Sequence, residues 1–490
     1  MSGRQGEGRV AKPALAVHPF GMNKRLLPLA LSPLLAAAAP APLTAIAEDV
    51  SAERLRGIVE SLVSFGTRHT LSSQTDPNRG IGAALKWTEA EFERYSRACG
   101  GCLTVVTPSD VVTGRRVPNP TRVTNVMAIQ RGTTRPEQVV IISGHIDSRV
   151  TDVMDAASDA PGANDDGSGT AAVIETARVL SQHKFQATIV YAALSGEEQG
   201  LLGGKIMADY AKAQGWTVMA NLNNDIVGNS CGSDGKCDAD HVRVFSEGPR
   251  WQGRDDLAAR QRSLGGENDA PSRNISRYLD DLADELALGL DVRPIWRNDR
   301  FGRGGDHTEM LNAGYPAVRL TVAIEDYDHQ HQDLRVENGV EYGDTIDEMD
   351  FGYLAKVTKL NVAALADLAR APMPPAPTAE GAVSTDTTLT WDAVPGAAAY
   401  VIRWRRTDAA DWENSLRVVP GENLQSTEIP QTAPARRALF SGHKAVWRGV
   451  RVDDWVFGVS SVSAEGVQSP VASAVPGGAF RPHTPPPPVQ

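Results

Sequence analysis

Apolar residues follow two different spacings along the middle of this chain. "EQVVIISGHIDS" and "FQATIVYAALSGEE" are continuous apolar runs that end in polar residues. Between them, "TAAVIETARVLSQH" sets Ala172, Val173, Ala177 and Leu180 along one helical face. "GLLGGKIMADYAKAQ" reads as another helix and "TVMANLNNDIVG" as another strand. Helical spacing recurs upstream in "AERLRGIVESLVSFG" and "IGAALKWTEAEFERYSRA", and downstream in "YLAKVTKLNVAALADLARA". Strands apolar on both faces and separated by helices predict an α/β fold over residues 48–371. Its core is a central, mostly parallel mixed sheet with helices on both faces.

The pattern changes after residue 371. A proline-rich linker over 372–377 leads into short alternating strands and turns over 378–474, which predict a small all-β sandwich. Trp391, Tyr400, Trp404 and Phe457 are its candidate core aromatics, and "LTWDAVPGAAAYVIRWR" and "FGVSSVSAEGVQS" resemble a fibronectin type III domain. Residues 475–490 form a proline-rich tail that is expected to be disordered. At the other end, Met22, Lys24 and Arg25 precede an apolar stretch closing in Ala45-Ile46-Ala47. This is the layout of a secretory signal, with Met22 as the candidate initiator. Pro28, Pro33, Pro40 and Pro42 interrupt it before it could span a bilayer. Residues 1–47 are therefore expected to be an extension and signal, with a secreted or periplasmic mature chain starting near Glu48.

A chain of 490 residues is long enough for two or three folded units. Forty-nine Lys and Arg against 60 Asp and Glu give a net charge of −11, which argues against a nucleic-acid partner. Export suits disulfides, and the four cysteines fall into two short-range pairs, Cys99 with Cys102 and Cys231 with Cys237. For the first pair, a redox motif or half of a zinc site is the alternative.

Polar side chains gather where the predicted strands end, which is where open α/β sheets build their sites. One strand closes with His145 and Asp147, which face the same way in an extended chain. The next closes with Glu197 and Glu198, and the third with Asp225. The "GANDDGSG" turn adds Asp165 and Asp166, and "DYDHQHQD" offers His329 and His331. Histidines and carboxylates without cysteine make a donor set suited to catalytic zinc. A carboxylate beside the ligands is also needed to move the water's proton, and the paired glutamates could divide these tasks.

The segments "GHIDS", "PGANDDGSGTAAVIETARVL", "SGEEQGLLGG", "NNDIVG" and "GDHTEMLNAGYPAV" occur in the order seen in a known family. Over residues 64–371 the chain resembles the family-twenty-eight zinc metallopeptidases of the bacterial leucyl-aminopeptidase type. The resemblance implies two zinc ions per chain, held by His145, Asp165, Glu198, Asp225 and a late histidine, with Asp165 bridging them. Either His331 or His329 fills that last place, and His331 is favoured. Glu197 would be the general base, and Asp147 would orient His145. His307 matches a family position that is not a ligand, and Asp306 is a candidate contact for the substrate amine.

Two decoys compete with this reading. Counted from Asn164 to Glu175, the turn has the spacing of an EF-hand calcium loop. However, loop rather than helix precedes it, and the small Ala171 stands where a larger apolar residue is usual. "GNSCG", from Gly228, fits a nucleophile-elbow pattern, but no helix follows. The expectation is an exported zinc aminopeptidase acting on peptides with a free N-terminus. Glutaminyl cyclisation, carboxypeptidase-type cleavage, and a non-catalytic peptide-binding protein on the same fold are the alternatives.

Overall fold

In the computed structural model, residues 41–248, 263, 269–421 and 438–475 are described. Most of the expected signal and nearly all of the expected proline-rich tail lie outside them. The described chain begins with three helices, α1 (Leu43–Ala47), α2 (Ala52–Val63) and α3 (Ile81–Ala98). The strands β1 (Leu103–Val106), β2 (Ser109–Gly114), β3 (Val117–Thr124), β4 (Val126–Gln130) and β5 (Arg135–His145) follow. Next come α4 (Gly167–Leu180), β6 (Ala187–Leu194), α5 (Leu202–Ala213), β7 (Thr217–Asn224) and β8 (His241–Phe245). After these come α6 (Pro271–Leu286), β9 (Asp291–Ile295), α7 (His307–Asn312), β10 (Ala317–Val322) and α8 (Phe351–Arg370).

Eight strands form one sheet in the order β1-β4-β6-β5-β7-β10-β8-β9. Its centre, β6-β5-β7-β10, is parallel throughout, while β1, β4 and β8 add antiparallel pairings toward the edges. Alternation along the central strands explains why they read as unbroken apolar runs. Val140 and Ile142 of β5 join the core beneath α2, α4 and α8, while Val139 and Ile141 join the core beneath α5 and α7. Both faces are covered, so both sets must be apolar.

Two glycines let the polar ends of these elements come close. A Cβ on Gly144, near the end of β5, would lie 2.6 Å from the Gly169 carbonyl carbon in the first turn of α4. One on Gly169 would lie 2.2 Å from the Asn224 carbonyl oxygen at the end of β7. Any side chain at either position would push α4 away from the strand ends.

Past α8, two four-stranded antiparallel sheets pack face to face around Trp404, Trp447, Tyr400 and Phe457. The four aromatics expected to form a core there are all buried. These sheets are welded to α6 rather than tethered by the linker alone. Asn274 donates to Ser473 Oγ at 2.9 Å, Arg277 to the Ala410 carbonyl at 2.7 Å, and Arg405 pairs with Asp269 in a buried contact. Both expected cysteine pairs are disulfides. Among the described residues, no helix is long and apolar enough to cross a membrane.

The buried Arg405–Asp269 pair makes the junction testable. Arg405→Ala leaves a buried carboxylate without its main partner, which should lower stability by about 3 kcal/mol. Chemical denaturation of the purified protein checks this, and an unchanged midpoint would show that the junction does not depend on the pair.

Candidate metal centre

The central strands deliver polar side chains at or beyond their carboxyl ends. His145 is the last residue of β5, and Asp225 directly follows β7. Glu197 and Glu198 lie in the turn between β6 and α5, and His331 sits in the segment after β10. Asp165 comes from the turn that opens α4.

The structure brings five of the predicted residues into two triads that share one member. Donor atoms of His145, Asp165 and Asp225 lie within 4.8 Å of one another, as do those of Asp165, Glu198 and His331. His145 Nε2 is 3.1 Å from Asp165 Oδ1, and His331 Nε2 is 2.8 Å from Asp165 Oδ2 and 2.9 Å from Glu198 Oε1. All five line one cavity of about 610 Å³ together with Glu197. Nitrogen and carboxylate oxygen donors grouped in threes, with no cysteine, fit zinc. His331 also has φ 58°, in the left-handed region that costs a non-glycine residue about 1–2 kcal/mol.

His329 goes elsewhere. Its ring pairs with Asp326 at 2.6 Å and faces Glu348 at 3.5 Å, outside the main cavity. The geometry thus groups His331, not His329, with Asp165 and Glu198.

The two adjacent aspartates of the turn take opposite tasks. Asp165 faces the cavity, whereas Asp166 turns inward and caps α4 by accepting from Gly169 N at 2.9 Å. Asp166 also accepts from His145 N at 2.9 Å and Ile226 N at 3.1 Å, tying the ends of β5 and β7 to the helix. Glu175, the last position of the calcium-loop spacing, points away from this turn. It is fully buried and receives Ser51 N and the Arg178 guanidinium, so it anchors α2 rather than an ion.

Asp147 sits differently from its expected role. His145 Nδ1 lies 3.0 Å from the Asp147 carbonyl oxygen and 3.5 Å from its carboxylate. The backbone therefore makes the closer contact that orients the ring. The carboxylate instead receives Glu197 N and Glu198 N, each at 3.2 Å, and the Thr70 hydroxyl at 3.0 Å. It holds the two glutamates in place. Asp306 is buried and does not line the cavity. It accepts from Gly204 N at 2.8 Å, so it supports α5 rather than meeting a substrate directly.

Three residues around the triads had no place in the sequence reading. Arg319, fully buried in β10, donates to Asp225 Oδ1 at 2.7 Å and pairs with Asp299. Its signal was a charged residue inside the apolar run "YPAVRLTV", where burial demands a partner. Arg149 donates to Glu198 Oε2 at 2.8 Å and contacts His331 Nδ1 at 2.6 Å. Gln330 donates to Asp165 Oδ2 at 2.9 Å.

Electrostatics separate the groups. Burial works against ionised Asp225, but Arg319 and His145 pull its carboxyl down to about 2. Burial, then the charges of Glu198, Asp225 and Asp306, hold Glu197 well above the usual carboxylate range, against the pull of His145. Among the described residues nothing hydrogen-bonds the Glu197 carboxylate, so it is free within the cavity. Burial alone would lower the pKa of His145, but Asp147, Asp165 and Asp225 raise it well above its ordinary value.

Residues 125–339 match the model of a family described as Peptidase family M28. A "Probable zinc metalloprotease" of Leptosphaeria maculans is 43% identical over 446 residues, covering 89% of this chain and 98% of that protein. Another of the same description from Pyricularia oryzae is 40% identical over 448 residues, covering 89% and 85%. Among solved structures, the LapA aminopeptidase of Legionella pneumophila aligns at 21% identity and TM-score 0.46, over 67% of this chain and 74% of that one. A glutaminyl cyclase of Porphyromonas gingivalis aligns at 17% identity and TM-score 0.43, over 65% and 98%.

The raised pKa of His145 predicts a proton count. Metal-free, His145 holds its extra proton well beyond its ordinary range; His331, where Glu198 and Asp165 outweigh burial, is raised to about 9; and a metal ligand must be neutral. Zinc uptake at pH 7 should therefore release protons from both rings, and apparent affinity should fall as the pH is lowered. Calorimetric titration in buffers of different ionisation enthalpy measures this. Heats independent of the buffer would mean that both rings are already neutral.

Proposed function

Because the chain belongs to peptidase family M28 and is a zinc metalloprotease of that family, we propose that it is a dizinc aminopeptidase. The observation that carries this reading is the pair of donor triads sharing Asp165 beside an unbonded Glu197. In this reading His145, Asp165 and Asp225 hold one zinc, Asp165, Glu198 and His331 hold the other, and Glu197 is the general base. Zinc, when bound, supplies Lewis acidity: it polarises a carbonyl and makes water a nucleophile near neutral pH.

The chain's own residues do the remaining work. Glu197 takes the proton of the attacking water on a carboxylate oxygen and passes it to the departing amine nitrogen. Its raised proton affinity suits that exchange. Asp147 fixes the backbone of both glutamates, and Thr70 fixes Asp147. Arg319 keeps Asp225 ionised and in place. The inner wall, lined by Asp165, Glu197, Glu198 and Asp225, favours a positively charged group such as a free α-amine. An exopeptidase needs that recognition at the N-terminus of its substrate.

Export remains part of this reading, with the stretch that starts at Met22 as the signal and the two disulfides as support. Ile46 and Ala47 are buried against the core, however, and cleavage directly after Ala47 would remove them. Packing therefore favours a mature chain that starts upstream of Leu43 rather than near Glu48. For residues 378–474 we keep the fibronectin type III-like reading, supported by their two antiparallel sheets.

The activity and the base are tested together. Leucyl anilide should be hydrolysed and its N-acetylated form should not, and chelation should abolish turnover. Glu197→Gln should keep its metal yet lose about 100-fold or more in kcat. Glu198→Gln should lose metal and activity together, since an amide is the poorer ligand. Equal hydrolysis of the acetylated substrate would turn the reading away from an aminopeptidase. A metal-loaded Glu197→Gln with near-full activity would move the base to another residue.

A further inference from the structure

The cavity that holds the two triads has an outer wall of opposite charge. Arg115 and Arg116 reach it from the turn between β2 and β3, and Arg303 reaches it from the loop between β9 and α7. Arg116 gives one hydrogen bond to the Glu198 carbonyl at 2.8 Å, and Arg303 a long one to Gln330 at 3.5 Å. Among the described residues, none of the three has a carboxylate partner. Arg149 and Arg300 line the same cavity but are already engaged, the first by Glu198 and the second by Asp299 and Glu325.

Free arginines on a surface are ordinary, and Arg115 and Arg303 are exposed. Convergence is what distinguishes these. Two separate segments bring three uncompensated guanidinium groups to one cavity, in a chain whose net charge is −11. The cavity's carboxylates lie on its inner wall, and none of them forms an ion pair with these three guanidinium groups. The planar fork of arginine donors matches a carboxylate, which it binds in two parallel hydrogen bonds.

We propose that Arg115, Arg116 and Arg303 bind a carboxylate of the peptide substrate. The peptide's amine end then faces the acidic inner wall, and its anionic part faces the arginines. The carboxylate is either an acidic side chain near the scissile bond or the free C-terminus of a short peptide. This inference rests on the peptidase reading above.

Matched tripeptides test it: one pair with Glu or Gln in second place, both amidated, and one pair with a free or amidated C-terminus. kcat/KM is measured at low and high salt for the native chain, for Arg303→Met, and for Arg116→Met/Arg303→Met. The native protein should favour the anionic member of at least one pair by about 10- to 100-fold, as charge-assisted hydrogen bonds allow. The pair that shows the preference identifies the source of the carboxylate. The ratio should fall toward one in the variants and shrink in high salt, whatever the absolute rates do. Cleavage of all four peptides with ratios within about twofold would overturn this inference and leave the peptidase reading standing. A preference that both variants retain in full would remove Arg116 and Arg303 from it and overturn the three-arginine site. If no peptide is cleaved, the aminopeptidase reading fails and the inference falls with it.

Discussion

Asp165 Oδ1 lies 3.1 Å from the His145 ring while Asp165 Oδ2 lies 2.8 Å from the His331 ring. One carboxylate thereby joins side chains that come from β5 and from the segment after β10. Around it stand Asp225, Glu198 and Glu197, so several acidic groups share a site with little access to water. Each ionised carboxylate there raises the cost of the next, and such a cluster persists only with positive charge among its members. The histidines, Arg319 and Arg149 supply some of it within the chain. Cations held by the two triads would supply the rest.

Much of the fold serves to hold these groups at that distance. Parallel strands place their carboxyl ends along one edge of the sheet, and glycine at 144 and 169 lets α4 close onto that edge. Asp166 then fastens the helix to two strands through three backbone amides. Asp147 does the same for the turn carrying Glu197 and Glu198. Neither needs to touch a metal to be indispensable to the geometry. Their neighbours Asp165 and His145 face the cavity instead.

The central strands and the helices between them were legible because burial on both faces leaves an unbroken apolar run. Site residues at strand ends were legible for a related reason. A polar side chain directly after such a run sits where the core stops and where parallel strands open a crevice. The role of Asp147 was less legible: a sequence does not show whether a carboxylate or its own backbone carbonyl meets a ring nitrogen. Arg149 and Gln330 act through contacts spanning more than 160 residues, which no local spacing encodes. The strands β8 and β9 were missed because each is only five residues long. The N-terminal boundary rests on a small-residue triplet, two members of which, Ile46 and Ala47, are buried.

The central claim is that one carboxylate serves both triads, and metal content of Asp165→Asn addresses it most directly. The variant should be purified, equilibrated with zinc, freed of excess ion and analysed beside the native protein by elemental mass spectrometry. The account predicts about two zinc ions per native chain and loss of both in Asp165→Asn, with the variant still folded by circular dichroism. A folded variant that retains one full equivalent of zinc would contradict it, because one triad would then stand without the shared aspartate.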